Sequence, residues 1–296
     1  MILGILATLT FASIGIASAA AYTVCSIGCD YTSIQAAIDV ASPGDTIEVH
    51  SGTYYEHVNV GKQLTLRGIN TGDGTPVVDA GGRSGSAITL SADGITLEGF
   101  TATNSGSYWT DAGIRIISNN NITGNDASNN NGDGIRNLYG SNNTLSGNNA
   151  NNNKWRGISF GGSNNTLSGN NANNNKDSGI GLWGFNNTLS GNNANNNGVG
   201  IFLSFSSNNT LSGNNANNNH YGISLIQSSN NILYQNNLVN NIDDNTNYNA
   251  YNRNGSNNQW DNGAEGNHYS DYTGSDRNGD GIGDVPYTIQ YNTGRQ

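Results

Sequence analysis

The stretch NNTLSGNNANNN spans residues 142–153 and returns unchanged at residues 164–175, 186–197 and 208–219. A weaker copy, NNILYQNNLVNN, spans residues 230–241, so each copy begins 22 residues after the one before it (164 − 142 = 22). A repeat of this length is typical of solenoid proteins, in which a unit buries its apolar face only by stacking on its neighbours. The sequence therefore predicts a stack of similar coils along most of the chain.

The apolar residues between these copies indicate that the coils consist of β-strands. Each coil contains a G-I motif, which reads RGISF at residues 156–160, SGIGL at 178–182, VGIFL at 199–203 and YGISL at 221–225. The isoleucine and the residue two positions later are apolar in every copy, which is the alternation of a strand with one buried face. Further inward positions are the leucine of T-L-S and the alanine that follows it, namely Leu145, Leu167, Leu189 and Leu211 with Ala150, Ala172, Ala194 and Ala216. Three short strands per coil predict an all-β fold, a parallel β-helix solenoid.

Asparagine fills seven of the twelve positions of each full copy, and this abundance has a structural interpretation. Asparagine tolerates the left-handed backbone that tight corners require. Identical side chains on coils stacked about 4.8 Å apart also form ladders of amide hydrogen bonds. We therefore interpret most of these asparagines as corner and ladder residues.

The composition narrows the class of protein and of partner. Only 34% of the residues are hydrophobic and 11% are charged, so an ordinary globular core would be hard to fill. The formal net charge is −10, whereas binding to phosphate backbones needs a basic face. We therefore expect no nucleic-acid partner.

The first twenty residues, MILGILATLTFASIGIASAA, are apolar and rich in small residues, with cleavage options around Ala17 to Ala21 and no Lys or Arg. They predict a signal peptide over residues 1–20 and a protein that is secreted, periplasmic or at the cell surface. A short membrane anchor is the alternative. No second apolar span of membrane length follows, so no transmembrane span is expected in the mature chain. Cys25 and Cys29 come next, and in an exported protein such a pair predicts a small-loop disulfide.

The segment DYTSIQAAIDVASPGD (residues 30–45) predicts a short amphipathic helix. Thr32 with Gln35 matches a capping box, and Pro43 with Gly44 ends the pattern. Such a helix would cover the open end of the solenoid. The expected organisation is a disulfide segment and capping helix over residues 21–44, a β-helix over residues 45–242, and a C-terminal cap over residues 243–296.

The loop before each G-I strand departs from the repeat. Its length varies, since residues 142 and 157 lie 15 apart but residues 186 and 200 lie 14 apart. Irregular loops on a rigid scaffold are where binding residues concentrate. The candidate ligand-binding residues in and beside this loop are Tyr108, Trp109, Asp111, Arg115, Arg136, Lys154, Trp155, His220 and Tyr221. The alternative is a solvated ridge that keeps the solenoid soluble.

The same ridge offers candidate catalytic residues, namely Asp133, Arg156, Lys176 and Asp177. A polysaccharide lyase needs a Lys or Arg base beside acidic groups, and a glycosidase needs two carboxylates at reaction distance. Asp133 and Asp177 lie two coils apart, which places their backbones roughly 9–10 Å apart at the spacing between strands. None of the motif strings of pectate lyases, polygalacturonases or pectin esterases is present, so we favour a protein without catalytic activity.

The sequence DRNGDGIGD at residues 276–284 has the spacing of a calcium-binding loop. The candidate ligands are Asp276, Asn278, Asp280, the carbonyl of Ile282, and Asp284. Tyr287 stands where an EF-hand has its bidentate Glu, and Asp271 is a nearby carboxylate that could replace it. Structural calcium is the expectation, and a metal-free turn of Asp and Gly residues is the alternative.

Candidate N-glycosylation motifs occur six times, at Asn121, Asn142, Asn164, Asn186, Asn208 and Asn254. Four of them fall at the same position of successive copies. The alternative, which we favour at this point, is that the motif arises because T-L-S strands follow Asn corners. Asparagines in inward ladders would be closed to modification.

Three stretches resemble one protein family. SIQAAIDVASPGDTIEVHSGTYYEHVNV (residues 33–60), KQLTLRG (residues 62–68) and the tail NQWDNGAEGNHYSDYTGSDRNGDGIGDVPYTI (residues 258–289) are similar to NosD-like proteins. These belong to a pectin-lyase-like group whose repeats are called carbohydrate-binding and sugar-hydrolase domains, and the tail also resembles archaeal or bacterial cell-surface members. The resemblance implies a right-handed parallel β-helix, and it implies copper binding and a role in the maturation of nitrous oxide reductase.

The residues of this chain do not predict the copper site that the resemblance implies. Copper prefers clustered Cys, Met or His ligands, but the chain has one Met, two Cys and four His, and the histidines at 50, 57, 220 and 268 are scattered. We therefore expect no copper site and take only the fold from the resemblance.

Three functions remain for comparison. The first is an exported, non-catalytic β-helix that binds a polysaccharide, a glycoprotein surface or neighbouring surface proteins. The second is a polysaccharide lyase or glycoside hydrolase that acts along the side groove, and the third is a NosD-type accessory protein in metalloenzyme maturation. A regular array of hydroxyl groups on the T-L-S strands would also suit an ice-facing sheet.

Overall fold

The computed structural model describes residues 19–244, 246–279 and 283–291. All but the last two residues of the predicted signal peptide lie outside this part of the chain. Asp280 and Ile282, two of the candidate calcium ligands, also lie outside the described residues.

Two parallel sheets of ten strands each form the long faces of the solenoid. The first sheet contains the T-L-S strands, in the order Ala21–Val24, Thr46–His50, Thr65–Ile69, Thr96–Glu98, Asn121–Thr123, Thr144–Ser146, Thr166–Ser168, Thr188–Ser190, Thr210–Ser212 and Ile232–Tyr234. The second sheet contains the G-I strands, in the order Val58–Val60, Ile88–Leu90, Ala112–Ile116, Asp133–Asn137, Ile158–Gly161, Ser178–Trp183, Val199–Ser204, Tyr221–Ile226, Ala250–Arg253 and Gln290–Tyr291.

A narrower third face closes each coil. Its strands are Thr53–Tyr54, Val77–Asp79, Thr101–Thr103, Asn237–Leu238 and His268–Tyr269. In the most regular coils it shrinks to single-residue bridges that run through Asp126, Asn149, Asn171, Asn193 and Asn215. The fold is therefore the predicted parallel β-helix with coils about 22 residues apart. A short antiparallel pair, Ile242–Asp243 with Thr246–Asn247, lies outside the solenoid pattern.

The core consists of the inward positions that the alternation predicts. Ile158, Phe160, Ile180, Leu182, Ile201, Leu203, Ile223 and Leu225 are all fully buried, and so are the four leucines of T-L-S and the four alanines that follow them. Each residue stacks on its counterpart one coil away, as Leu167 does on Leu145 and Leu189. Stacking of like side chains gives a continuous apolar column in place of a single globular core.

The asparagines adopt both predicted roles. Two corner columns have a left-handed backbone with φ between 54° and 59°, namely Asn142, Asn164, Asn186, Asn208 and Asn230 with Asn152, Asn174, Asn196, Asn218 and Asn240. Three other columns are buried and form ladders in which each side-chain Nδ2 donates to the Oδ1 of the next coil at 2.9–3.3 Å. The same Oδ1 accepts from the backbone N–H of the asparagine below it, as Asn170 does from Asn148. The ladders therefore provide acceptors for backbone N–H groups at the corners, where pairing between strands does not satisfy them.

The N-terminal helix, Ile34–Val40, forms where the sequence predicts it, but its cap differs. The N-cap is Ser33, whose Oγ accepts from the backbone N–H of Ala36. The expected capping box of Thr32 and Gln35 is wrong because the carboxylate of Glu56, from a later strand connection, accepts from the N–H groups of Ile34 and Gln35. A long-range carboxylate takes the place that a local side chain would otherwise fill.

The solenoid is longer at both ends than the predicted range of residues 45–242. Ala21–Val24 already pairs in parallel with Thr46–His50, and Ala250–Arg253 continues the second sheet. Cys25 and Cys29 form a disulfide directly after the first strand. Among the described residues, no helix has the length and apolar character needed to cross a bilayer.

Candidate functional site

The outward face of the second sheet brings together residues that are far apart in sequence. Its central outward column places Arg115, Arg136, Ser159, Gly181, Phe202 and Ser224 side by side in register. The irregular loops that precede the strands flank this column. We call this face, from Arg115 to Phe202 with its flanking loops, the lateral surface.

Asp133 and Arg136 form a buried ion pair at the edge of the lateral surface. Asp133 is only 2% exposed and Arg136 only 7% exposed. Burial raises the pKa of the Asp133 carboxyl, although the Arg136 guanidinium and the backbone N–H of Arg156 act in the opposite direction. Among the described residues, Nε of Arg136 has no hydrogen-bond partner. This arginine therefore retains one unused donor beside the surface.

Arg156 joins both candidate carboxylates. Its backbone N–H donates to Asp133 Oδ1 at 3.0 Å, and its Nε donates to Asp177 Oδ2 at 2.9 Å. Its guanidinium carbon also lies 4.6 Å from the centroid of the Trp183 ring. Each candidate catalytic carboxylate is thus paired with an arginine, which holds it in place.

Trp183 forms an aromatic platform on the lateral surface. Its six-membered ring lies against Gly181, where an added Cβ would be 2.8 Å from Cη2. Phe202, one coil further on, packs edge-on against the indole with ring centroids 6.0 Å apart. The platform is thus held between the guanidinium of Arg156 and the ring of Phe202.

Trp183, Phe202 and Gly181 are not among the candidates from sequence. The sequence pattern could have identified Gly181 and Trp183, since the alternation that places Ile180 and Leu182 inward also places residues 181 and 183 outward. Arg115 and Arg136 are candidates at outward strand positions because they lie beside the irregular loops, whereas Trp183 and Phe202 lie within the repeat pattern.

A second aromatic group lies at the start of the lateral surface. Arg136 lies over Trp109 with 5.5 Å between its guanidinium carbon and the ring centroid, and Tyr108 contacts Trp109 with 6.3 Å between ring centroids. Asp111 is buried and accepts from the backbone N–H of Tyr108 at 3.1 Å. Asp111 therefore shapes the loop that presents the two exposed aromatic rings.

The remaining candidates are spread along the solenoid. Arg115 is exposed and lines a depression of about 290 Å³ beside the exposed ring of Tyr139. Lys154, Trp155 and Lys176 are exposed in the flanking loops. Lys154, Trp155 and Lys176 therefore precede the two strands that follow Arg136 in the column, whereas Arg115 lies one coil before Arg136.

His220 and Tyr221 lie at the other end of the column. His220 is exposed, and Tyr221 packs against Tyr248 and Tyr251, with ring centroids 4.6 Å and 5.5 Å apart. Burial and a hydrogen bond with Asp243 raise the pKa of Tyr221 to about 12. This tyrosine belongs to a packed cluster near the C-terminal coils and not to the platform.

The glycosylation candidates are all exposed. Asn121, Asn142, Asn164, Asn186, Asn208 and Asn254 each point outward. In the four repeat copies the buried ladder uses the next asparagine, as Asn165 follows Asn164. The expectation that burial closes these asparagines to modification is therefore wrong, because in the four copies the exposed corner and the ladder use different residues of the Asn-Asn pair.

The calcium-type loop is described only in part. Asp276 Oδ1 accepts from the backbone N–H of Gly279 at 2.7 Å, and Asp284 Oδ2 accepts from the N–H of Arg277 at 2.8 Å. Asn278 also has contacts within the protein. Asp271, the proposed replacement ligand, accepts from Tyr287 Oη at 3.0 Å and from Asn249 Nδ2 at 2.6 Å. Asp271 therefore stabilises the cap in this structure.

Soft metal ligands come together once among the described residues, at Cys25, Cys29 and His50. The Sγ of Cys29 lies 3.5 Å from His50 Nδ1, but both sulfurs belong to the disulfide. Copper binds thiolates, thioethers and imidazoles, so a disulfide and one histidine do not fit it.

Comparison with known proteins places the chain in a family. The model of the family described as periplasmic copper-binding protein (NosD) matches residues 70–274. A search of the curated proteins finds no match.

Solved structures share the fold at low sequence identity. Pectate lyase Pel9A has a TM-score of 0.58 and 18% identity, over 95% of this chain and 90% of that chain. A rhamnogalacturonan lyase has a TM-score of 0.61 and 12% identity, over 91% and 95%. The A-module of the Azotobacter vinelandii mannuronan C-5 epimerase AlgE6 has a TM-score of 0.56 and 16% identity, over 75% and 74%. At these identities the similarity concerns the fold alone.

Proposed function

This chain belongs to the NosD family, and we propose that it is an exported, non-catalytic protein that binds a polysaccharide along its lateral surface. The observation that carries the proposal is the platform of Trp183 between Arg156 and Phe202. Aromatic faces with a few charged groups that fix orientation are the usual components of a ligand site. A polymer needs several such contacts in a row, and the stacked coils supply them.

The two aromatic groups lie on one line. Arg136 and Gly181 are two strands apart in the same column, which corresponds to roughly 9–10 Å at the usual spacing between strands. Trp109 is held at Arg136, and Trp183 is held at Gly181. An extended chain of sugar rings that runs along the solenoid axis would contact both.

The charges of the lateral surface favour an acidic polysaccharide. Arg115, Lys154 and Lys176 are exposed and have no ion-pair partner among the described residues. The carboxylates Asp133 and Asp177 are both neutralised by arginines. A ligand with carboxylate groups would therefore meet three unpaired cations on a protein whose overall charge is −10.

The pairing of the carboxylates also supports binding without catalysis. A general acid or base must reach the substrate, but Asp133 is almost fully buried beneath Arg136. Asp177 is exposed, but its Oδ2 already accepts from Nε of Arg156 at 2.9 Å. Asp133 thus lacks access to a substrate, and Asp177 is already engaged by an arginine.

The test is affinity electrophoresis of the secreted chain in gels that contain polygalacturonate, alginate or a neutral glucan. We expect the two acidic polymers to retard the protein, and we expect Trp183→Ala to weaken the binding about tenfold, or ~1.4 kcal/mol. Tyr55→Ala, which removes an exposed aromatic ring near the N-terminus, is the matched control and should bind as the wild type does. Equal retardation of the wild type and the Trp183 variant would contradict the proposal.

A lyase or hydrolase is the second candidate, and one observation favours it. A carboxyl whose pKa is raised by burial, beside arginines and near exposed lysines, is common at catalytic sites. Release of unsaturated or reducing ends from an acidic polymer, lost in Asp133→Asn and Asp177→Ala, would replace the binding proposal. A NosD-type accessory role would instead be supported by a defect in nitrous oxide reductase maturation when the gene is deleted.

A further inference from the structure

A cavity of about 350 Å³ lies at the C-terminal end of the solenoid, away from the lateral surface. Its walls include four aromatic residues, Trp260, Tyr269, Tyr272 and Tyr287. The volume is at the lower end of the range of small-molecule sites, roughly 300–1,000 Å³. It suits a ligand of about one sugar ring.

The walls of this cavity are held by contacts within the protein. Tyr269 and Tyr287 stack in parallel with 3.7 Å between ring centroids. Tyr287 Oη donates to Asp271 at 3.0 Å, and Tyr272 Oη donates to the carbonyl of Val285 at 2.8 Å. A site whose side chains are already fixed loses little conformational freedom when a ligand binds.

One polar group of the cavity residues lacks a partner. The indole N–H of Trp260 is buried and makes no hydrogen bond within the described part of the chain. Buried donors are nearly always satisfied in native proteins, by protein groups, water or a ligand. An oxygen atom of a ligand in the cavity would accept this hydrogen bond.

The lining limits the chemical class of the ligand. Asp261 is the one charged residue among the described lining residues, so its carboxylate would repel an anion such as a uronate or a phosphate. The unpaired donor of Trp260 would oppose a cation. A neutral sugar meets both conditions, since its C–H face stacks on an aromatic ring and its hydroxyl groups both donate and accept.

We propose that this cavity binds one neutral sugar unit, with the indole N–H of Trp260 donating to a sugar oxygen and Asp261 accepting from a sugar hydroxyl. This terminal site is independent of the acidic polymer that we propose for the lateral surface. The protein would then hold a polymer on its side and a single neutral sugar at its end.

The test uses nuclear magnetic resonance of the full mature chain, because its four tryptophans give four indole N–H signals. Methyl glycosides of neutral hexoses and N-acetylhexosamines at millimolar concentration should shift the Trp260 signal alone. Methyl glucuronide should shift none of the four. Single Trp→Phe variants assign the signals, and if the Trp260 variant fails to fold, Trp109→Phe, Trp155→Phe and Trp183→Phe assign Trp260 by elimination.

Calorimetry of the same sugars supplies the second measurement. Trp260→Phe keeps an aromatic ring and removes only the donor, so we expect it to weaken sugar binding about tenfold. Tyr55→Phe, at an exposed ring near the N-terminus, should leave monosaccharide affinity unchanged. The proposal is overturned if no neutral sugar moves the Trp260 signal, or if the Trp260 variant binds as tightly as the wild type. Either result would leave the polymer test on the lateral surface unaffected.

Discussion

The guanidinium of Arg156 lies 4.6 Å from the ring of Trp183, although the two residues belong to different coils. The contact exists because Gly181 leaves space for the indole on the outward face of the sheet. Arg156 meanwhile holds Asp177 through its Nε, so a single side chain connects an acidic group with the aromatic platform. The position of the Trp183 ring therefore depends on the absence of a side chain at Gly181 and on Arg156. Arg156 is held by its backbone N–H at Asp133 and by its Nε at Asp177.

The first prediction tests this dependence through Gly181→Ala. The added Cβ would be 2.8 Å from Trp183 Cη2 and 3.3 Å from Arg156 Cδ, so the indole must move away from the arginine. A cation–π contact at an exposed site contributes ~0.5–1 kcal/mol, so we expect an about twofold to fivefold weaker affinity for an acidic polymer. The free energy of unfolding should fall by no more than about 1 kcal/mol, the contribution of that contact, because the core is untouched.

Ser224→Ala is the control for this variant. Ser224 occupies the same outward column, two coils beyond Gly181 and one coil beyond Phe202. Its polymer affinity should equal that of the wild type, whether measured by calorimetry or by gel retardation. If Gly181→Ala also keeps full affinity, the platform does not contact the polymer.

The fold could be predicted from the sequence because the alternation within the strands, the constant repeat length and the corner residues all indicate the same structure. Ile180 and Leu182 alternate as a strand requires, and the same alternation recurs in each coil. The columns of asparagine could also be predicted from the constant spacing of the copies, because a ladder needs an asparagine at the same position of every coil. Local periodicity therefore determined both the core and the corners.

The cap of the helix and the platform could not be predicted in this way. Glu56 satisfies the N-terminus of the helix from more than twenty residues away, and no local pattern reveals that partner. Trp183 and Arg156 meet because the register of the strands, after a loop of variable length, aligns one coil with the next. Contacts between side chains of neighbouring coils depend on that register, and the sequence pattern within one coil does not determine it.

The second prediction concerns the buried amide ladder and uses Asn170→Ala. Its Oδ1 accepts from both N–H groups of Asn148 at 3.0 Å, and its Nδ2 donates to the carbonyl of Leu145 at 3.1 Å. The variant would leave a buried backbone N–H without a partner, which costs ~1–3 kcal/mol. We expect the free energy of unfolding to fall by about 2–4 kcal/mol when the lost ladder bonds are included.

Asn171→Ala is the matched control for the ladder. Asn171 is the next residue and lies half-buried on the third face, where its side chain donates to Asn149 Oδ1 at 2.9 Å and accepts from Asn193 Nδ2 at 2.8 Å. Removal of such a pair from a partly solvated position should cost less than about 1 kcal/mol. Urea unfolding of both variants measures the loss in the free energy of unfolding. If the two variants lose the same amount, the buried ladder contributes no more to stability than the half-buried one.

The third prediction concerns alkaline pH. Burial and Asp243 raise the pKa of Tyr221 to about 12, and burial also raises the pKa of Tyr269 and Tyr287 above the usual value of 10.0. A raised pKa means that the folded state holds the phenol proton more tightly than the unfolded state does. The stabilisation is therefore fully present below about pH 10 and is lost as the pH rises toward the folded-state value.

Urea unfolding at about pH 8 and about pH 11 checks this sign, since the free energy of unfolding should be lower at the higher pH. Tyr221→Phe removes one of the titrating groups and should reduce the difference between the two measurements. Tyr139→Phe, at a residue whose side chain is exposed, should leave the difference as it is in the wild type. A stability that rises with pH over this range would contradict the burial of these phenols.

The fourth prediction is that the loop at residues 276–284 binds calcium and thereby stabilises the C-terminal cap. Asp276 and Asp284 both accept backbone N–H groups of this loop, so their carboxylates are already oriented around it. Loops of this type in extracellular modules bind calcium with dissociation constants of about 10⁻⁴–10⁻³ M. Calcium that binds only the folded state should raise the melting temperature in proportion to the logarithm of its concentration.

The double variant Asp276→Asn, Asp284→Asn should lose this shift and the calorimetric uptake of calcium, whereas Asp73→Asn, at an exposed residue in an earlier coil, should keep both. A wild-type protein whose melting temperature is the same in millimolar calcium and in a chelator would leave the cap held by its tyrosines and by Asp271 alone.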